Sequence, residues 1–471
     1  MKSEEIVKGR RRAWVHWTFL TLFLIGIPSF VHADINDFLL KFNPYMTVQE
    51  TYSNNILLTK TNQLDDFITT VYPGLGFSDI GPGTYGINLD FIAGYTYYAK
   101  NHDFSYFSPT GNLDAWYAIT SNLTFRVRDY VVRSDAAKEQ LGETSDTSVD
   151  QLTLSTERGV HAIYLRNVVE PSVEYHFGGE DLLSVLYRNN IYHNYNALFE
   201  SSQENTIDPR LNYWFDARNG VTLEYIVTSG TYSRYLLDSG TYSHDPNQLE
   251  QGVRGRYTYR FDPRTSIFGE YYFEWEIFDS PGVDYHVHAP SLGIQYKFSP
   301  TLTGTVQGGY YWQEAADGTT SKGPSWNLNL SQRAERTTYT VLLQGGYTED
   351  YFTAQNLGFV KYYDAYGTIT HRLTERLTVG ATGSVERPTY QATGEKDWIW
   401  IARGGVSYSL SRWLSISLEG SYTKDQSTTP GFSYNEYRVM VGITLGHPTS
   451  RQTMFGQPTF LQRINPFNPG G

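Results

Sequence analysis

The chain has 471 residues, a net charge of −12 and no cysteine. Lack of cysteine excludes disulfides, thiolate metal sites and cysteine nucleophiles. The acidic balance argues against a nucleic-acid partner, which needs a basic face to release counterions from phosphate.

At the N-terminus, Lys8, Arg10, Arg11 and Arg12 form a positive region. An apolar run from Trp14 to Ile27 follows, Pro28 breaks it, and Val31-His32-Ala33 places small residues at a cleavage position. The pattern predicts a secretory signal peptide over 1–33, cut after Ala33. An uncleaved anchor is the alternative, but the run is shorter than the roughly 20 residues a spanning helix needs. A mean hydropathy of −0.43 would usually mean a soluble protein. That inference fails for β-barrels, whose strands alternate lipid-facing and lumen-facing residues.

After the signal peptide the period is two. An opening strand is predicted over Phe42–Tyr52. The stretch YSLSRWLSISLEGSY at 408–422 shows the repeating unit. Past its turn, Leu414, Ile416, Leu418, Gly420 and Tyr422 share one face, and Ser415, Ser417, Glu419 and Ser421 share the other. Short turns recur in chain order at Gly81-Pro82-Gly83, Thr120-Ser121-Asn122, Gly178-Gly179-Glu180 and Ala217-Arg218-Asn219-Gly220. They continue at Asp262-Pro263-Arg264, Ser299-Pro300-Thr301, Arg333-Ala334-Glu335, Thr374-Glu375-Arg376 and Ser411-Arg412-Trp413. In the best of them Ser, Thr or Asp leads, because its side-chain oxygen can take a backbone N–H, and Pro fits the second place.

Between the turns lie longer polar connections at 53–65, 100–106, 136–160, 196–206, 233–247, 279–283, 316–323, 391–396 and 425–432. Short turns at one end and long loops at the other are the habit of an outer-membrane barrel. Nine turns join eighteen strands, and the opening strand and a closing strand over Asn435–Leu445 make twenty. The expected fold is all-β: a transmembrane antiparallel β-barrel, an up-and-down meander over residues 34–446. Eighteen strands is the alternative count, because residues 136–170 resist reading; a soluble all-β protein is the alternative fold. The tail, 447–471, has four prolines and no alternation. It is expected to be a periplasmic extension or a partial plug of the barrel mouth.

The apolar face is expected to meet outer-membrane lipid, with Tyr296, Tyr310, Trp312, Tyr408, Trp413 and Tyr422 as interface aromatics. The polar face then lines a lumen. Its candidate residues are Asp114, Trp116, Arg126, Arg128, Trp214, Arg254, Arg256, Arg260, Glu270, Glu274, Glu276, Tyr311 and Arg403. The charges could set a pore's field, or only bond to one another. The aromatic residues Trp116, Trp214, Tyr272 and Tyr311 could offer faces to sugar rings, or only pack. Arg256 is expected roughly opposite Glu270 across the 262–264 turn.

No cofactor or catalytic residue is expected, since HExxH, GxSxG and phosphate-loop patterns are missing. His286-Val287-His288 puts two rings on one face but offers no third ligand, so no metal is assigned.

Tyr52-Ser53-Asn54-Asn55-Ile56-Leu57-Leu58, followed by Asp66-Phe67-Ile68-Thr69-Thr70-Val71-Tyr72-Pro73-Gly74-Leu75, resembles the β-barrel porin family found beside exopolysaccharide synthesis genes in Gram-negative bacteria. The resemblance implies an outer-membrane channel with a part in surface-polysaccharide export, alongside polysaccharide or periplasmic export components as partners. It carries no functional residues over. The last strand ends in Leu445 rather than the usual aromatic residue. A sleeve around a secretion or electron-transfer partner is the second functional reading, with Gly94, Gly309, Gly346 and Gly405 as inward small residues. A barrel enzyme such as a lipase is the third.

Overall fold

The computed structural model describes residues 40–81, 83–135, 162–237, 241–243, 245–350 and 358–446. The signal peptide, the 136–160 connection and the 447–471 tail lie outside them.

Twenty long strands run antiparallel in chain order. The first nine are β1 (Phe42–Ser53), β2 (Asp66–Ile80), β3 (Tyr85–Tyr98), β4 (Tyr106–Ala118), β5 (Leu123–Ser134), β6 (Tyr164–His176), β7 (Leu182–Asn194), β8 (Ser202–Trp214) and β9 (Asn219–Tyr232). Next come β10 (Gln248–Arg260), β11 (Thr265–Phe278), β12 (Tyr285–Ser299), β13 (Leu302–Ala315), β14 (Thr320–Arg333) and β15 (Thr337–Asp350). The last five are β16 (Gly358–Arg372), β17 (Leu377–Glu386), β18 (Asp397–Ser411), β19 (Leu414–Ser427) and β20 (Tyr434–Gly446). β1 pairs with β20 from Tyr45↔Gly446 to Ser53↔Arg438, which closes the sheet and leaves no edge strand between first and last. Across that seam the Thr47 and Thr444 hydroxyls share a 2.9 Å hydrogen bond.

The nine turns sit where their chemistry puts them. Asp262 Oδ1 accepts the backbone N–H of Arg264 at 2.7 Å and of Thr265 at 2.9 Å. Those donors hold its carboxyl below the usual carboxylate range. Asp216 does the same for Arg218 and Asn219 at 2.7 and 2.9 Å. Thr120, Ser299, Thr374 and Ser411 each accept a backbone N–H two residues on. A side chain that satisfies the turn's own amides needs no long connection, so these ends stay short.

The long connections differ from expectation in detail. β8 begins at Ser202 and β14 at Thr320, and β19 runs on to Ser427. In each case polar residues continue the ladder, because the wall is wet inside and need not be apolar. The closing strand reaches Gly446, whose φ of +94° ends its extended run. A Cβ there would stand 2.6 Å from the Pro44 carbonyl oxygen, so glycine is required. A further connection, between β15 and β16, was not anticipated; its residues 351–357 lie outside the described set.

On the outer face an aliphatic band is exposed, including Val185, Leu223, Val253, Leu292, Ile294, Val306, Leu418, Val439 and Val441. Aromatic residues border it at the turn end. Phe177 stacks with Tyr213 at 6.3 Å, and Tyr213 meets Phe215 at 5.1 Å. Tyr259–Phe261 and Tyr296–Phe298 extend this belt at 4.9 and 4.8 Å. Large apolar side chains laid open in a band bordered by aromatic residues meet lipid in a membrane barrel. Leu418, flanked by Val406 and Val441 on its neighbouring strands, tests this. Leu418→Arg is expected to destabilise the barrel in lipid by about 2–4 kcal/mol. Unfolding of the variant in vesicles measures the loss, and an effect below about 0.5 kcal/mol would place Leu418 outside the bilayer.

Candidate functional site in the barrel interior

Side chains alternate along each strand, so the residues between the exposed apolar ones share the opposite face. In the closed sheet that face is the interior. Its charged members form a ladder of cross-strand ion pairs over β4 to β11, in separate groups. Arg126 donates from Nε and Nη2 to both oxygens of Asp114, each at 2.7 Å. Glu170 receives Arg188 at 2.6 Å and Arg128 at 3.3 Å. Glu224 receives Arg254 at 2.7 Å and Arg210 Nε at 2.9 Å, while Arg210 also reaches Asp208 at 3.2 Å. Arg256 sits directly across from Glu270 and bonds it at 2.7 Å. Gln307 on β13 continues the row, 2.8 Å from Ser291 and 3.4 Å from Glu270.

Opposite charges in cross-strand positions support pairing by about 0.2–1 kcal/mol each. The ladder therefore does two things: it ties neighbouring strands, and it leaves guanidinium edges along the wall. Elsewhere Arg403 bonds Glu419 at 3.3 Å and Arg438 bonds Glu436 at 2.7 Å. Thr368–Thr382 and Thr47–Thr444 contacts are uncharged.

The aromatic candidates are engaged. Arg260 lies over the Trp214 ring at 3.5 Å and bonds Glu180 in the β6–β7 turn at 2.8 Å. Its guanidinium holds the Glu180 carboxyl below its usual range. Trp116 covers the backbone of Gly86, and Trp214 that of Gly220, each directly across the ladder. Arg254 stands 4.9 Å over Tyr272, and Tyr311 is 2% exposed. Trp214 and Tyr272 thus each give a face to an arginine, and Tyr311 is closed off by packing; this favours the packing reading over sugar platforms. Two of the four glycines offered as room for a cargo, Gly94 and Gly309, are instead required by close backbone approach in the sheet. A Cβ at Gly94 would come 2.4 Å from the Ser108 carbonyl oxygen, and one at Gly309 2.4 Å from that of Pro290.

One feature of the interior does not follow from strand alternation. The β14–β15 ladder stops at Trp326↔Gly345. Beyond it β15 leaves the wall, still paired with β16 from Gly346↔Tyr362 to Asp350↔Gly358. Tyr347 and Phe359 then pack on the interior face of β12 and β13, in a cluster with Tyr285, Val287 and Tyr311. Tyr347 and Phe359 stack at 5.2 Å and 6°. Tyr285 donates its hydroxyl to Glu349 at 2.5 Å. The hairpin is thus folded into the barrel. Local sequence permits it: β14 presents only Ser321, Gly323 and Ser325 on that face, small enough for the hairpin to cross.

Three carboxylates meet beside this hairpin. Glu250, Glu274 and Glu276 bring an oxygen each within 4.8 Å of one another. His286 and His288 share one face, as their spacing requires, and it is the outer one, away from these carboxylates. His288 contacts the Tyr271 hydroxyl at 2.6 Å and stacks on Trp312 at 5.2 Å; His286 Nε2 is 3.6 Å from Glu314. Glu170, Arg188, Arg210, Glu224 and Glu250 were missed from sequence, although their parity along each strand could have found them.

Residues 216–447 match the family model described as "Putative beta-barrel porin 2". The match falls on β9 to β20 rather than on the 52–75 motif. The chain resembles this outer-membrane β-barrel porin family. No curated protein matches it in sequence. Among solved structures it is similar to the siderophore receptor PiuA from Acinetobacter baumannii, at 8% identity and a TM-score of 0.46, over 86% of this chain and 82% of that one. It is also similar to OccK3 (OpdO) of Pseudomonas aeruginosa, at 12% identity and a TM-score of 0.40, over 88% of this chain and 98% of that one. Scores this low carry no argument about activity.

Proposed function

We propose that this outer-membrane, porin-like barrel is a non-catalytic channel for polar solutes with a part in exporting surface polysaccharide. The observation that carries the channel reading is the arginine–carboxylate ladder on the interior wall, with the infolded β15–β16 hairpin beside it. A channel that selects among hydrophilic solutes needs a charged wall and a constriction; the sheet supplies the wall, and the hairpin that leaves it beyond Gly345 supplies the narrowing. Polysaccharide export rests on the family resemblance alone, and periplasmic export components are its proposed partners. The interior aromatics lend it no support, because their faces are occupied. Transport of a flexible polar chain would instead use the hydroxyls, amides and guanidinium edges of the wall.

Planar-bilayer recording of the refolded protein tests the channel. Discrete conductance steps are expected, and an acidic oligosaccharide added to one side is expected to shorten the open time. Absence of any steps would sink the channel. Steps that are indifferent to acidic and neutral oligosaccharides alike would remove the polysaccharide while leaving a general pore.

A further inference from the structure

We infer that Glu250, Glu274, Glu276 and Glu349 form a binding site for a hard divalent cation of the calcium class, at the loop end of β10 and β11. Glu250 and Glu276 stand directly opposite one another in the β10–β11 ladder, and Glu274 is the next interior residue along. Like charges placed so destabilise a sheet unless something lies between them. Three of these carboxylates already bring an oxygen each within 4.8 Å of one another.

The second observation is Glu276 itself. It is 1% exposed, and neither of its side-chain oxygens has a hydrogen-bond donor. Its neighbours are Glu250, Glu274 and Glu349, which offer acceptors only when ionised. The nearby cation, Arg254, gives Nη1 to Glu224 and its face to Tyr272, and its buried Nε bonds none of these carboxylates. A shared proton can serve one pair of carboxylates at a time. A single divalent ion serves all of them, and the donor set is oxygen alone, with no histidine or thiol, which selects a hard cation.

The fourth ligand comes from the infolded hairpin. Glu349 is held by the Tyr285 hydroxyl and lies against Glu274 and Glu276. The bound ion thereby ties β15 to the β10–β11 wall. This inference rests on the fold, not on conductance, so its test is independent of the channel.

Terbium(III) is a calcium probe whose emission is sensitised by nearby tyrosine, and Tyr272, Tyr285 and Tyr347 surround the site. With the full refolded protein stripped by EDTA at neutral pH, saturable terbium emission is expected, displaced by calcium. Glu276→Gln should abolish it. Glu250→Gln, at a less buried position, should weaken it and serves where the first variant does not fold, folding being read from heat-modifiable migration. Calcium should also raise the temperature of heat modification of the parent. Emission unchanged by both substitutions overturns the site. So does a parent barrel that is stabilised by acid but indifferent to calcium, since protons alone would then be satisfying Glu276.

Discussion

Replacing Glu224 with glutamine is expected to shift the channel's ion preference toward anions and to lower its stability. Glu224 is the branch point of the interior ladder, holding Arg210 from β8 and Arg254 from β10. Its side chain is 2% exposed, while those of Arg210 and Arg254 are 13% and 23% exposed. The carboxylate is thus sealed behind two guanidinium groups that border the interior. Removing its charge leaves both cations without their shared counterion. Breaking a buried pair from one side costs about 3–5 kcal/mol. Water in the barrel will recover part of that for Arg254, so the lower half of the range is expected. The field effect has no such discount: the wall gains one net positive charge, chiefly at Arg254, since Arg210 keeps Asp208 at 3.2 Å, and that charge attracts anions. Reversal potential in a potassium chloride gradient reads the selectivity, and heat-modifiable migration reads the stability. Glu180→Gln is the control. Its pair with Arg260 lies at the turn end with Glu180 44% exposed, and exposed pairs contribute only about 0–1 kcal/mol. A Glu224 variant with the parent's reversal potential would mean that ions do not pass this wall.

The elements that were legible in the sequence have local causes. The turn at Asp262-Pro263-Arg264 was readable because Asp262 closes it with its own carboxylate, a contact that spans three residues. The strand face at Leu414–Leu418 was readable because period two is a property of one strand. From those two signals the strand count followed, and so did the placing of Arg256 against Glu270, since a tight turn fixes the register of its hairpin. The wall residues that were missed depend on distant strands. Glu224 meets Arg254 thirty residues on, across a long connection that sets no register by itself.

The infolded hairpin was illegible for a different reason. Tyr347, Glu349 and Phe359 continue a plausible strand alternation, and nothing in their spacing says that the ladder ends at Gly345. What decides it is space: Ser321, Gly323 and Ser325 on β14, and Ala289 on β12, leave the interior face low enough for a second layer. That is a property of three strands together. The carboxylate cluster was hidden likewise. Glu274 and Glu276 were placed on the wall, but Glu349 joins them only because the hairpin crosses the interior. Of the two readings open for Trp214, a sugar platform or packing, the contact that favours packing comes from Arg260. That guanidinium lies two strands away and 3.5 Å above the ring.

Phe359→Ala is expected to raise single-channel conductance while leaving the barrel intact. Phe359 is 4% exposed and fills the junction between the hairpin and the wall. It stacks on Tyr347 and meets the Tyr285 ring edge-on at 6.1 Å. Truncating such a side chain costs about 3–5 kcal/mol of packing. The wall does not bear that loss, because the β12–β13 ladder pairs without it from Tyr285↔Ala315 to Ser299↔Leu302. The loss falls on the hairpin, whose β15 arm is held beyond Gly345 by this cluster, by Glu349 and by pairing with β16, which itself bonds Thr389, Tyr390 and Gln391. Released, it no longer narrows the interior, and current rises with the area freed. Two comparisons separate this from general damage. Phe261→Ala, on the outer belt, removes a similar ring without touching the interior, and its conductance should match the parent. Glu349→Gln, which keeps the cluster but weakens the tie to β11, should open the channel less than Phe359→Ala does. Conductance of Phe359→Ala equal to that of the parent, in a protein that still shows heat-modifiable migration, would mean that the hairpin lies out of the path of the current.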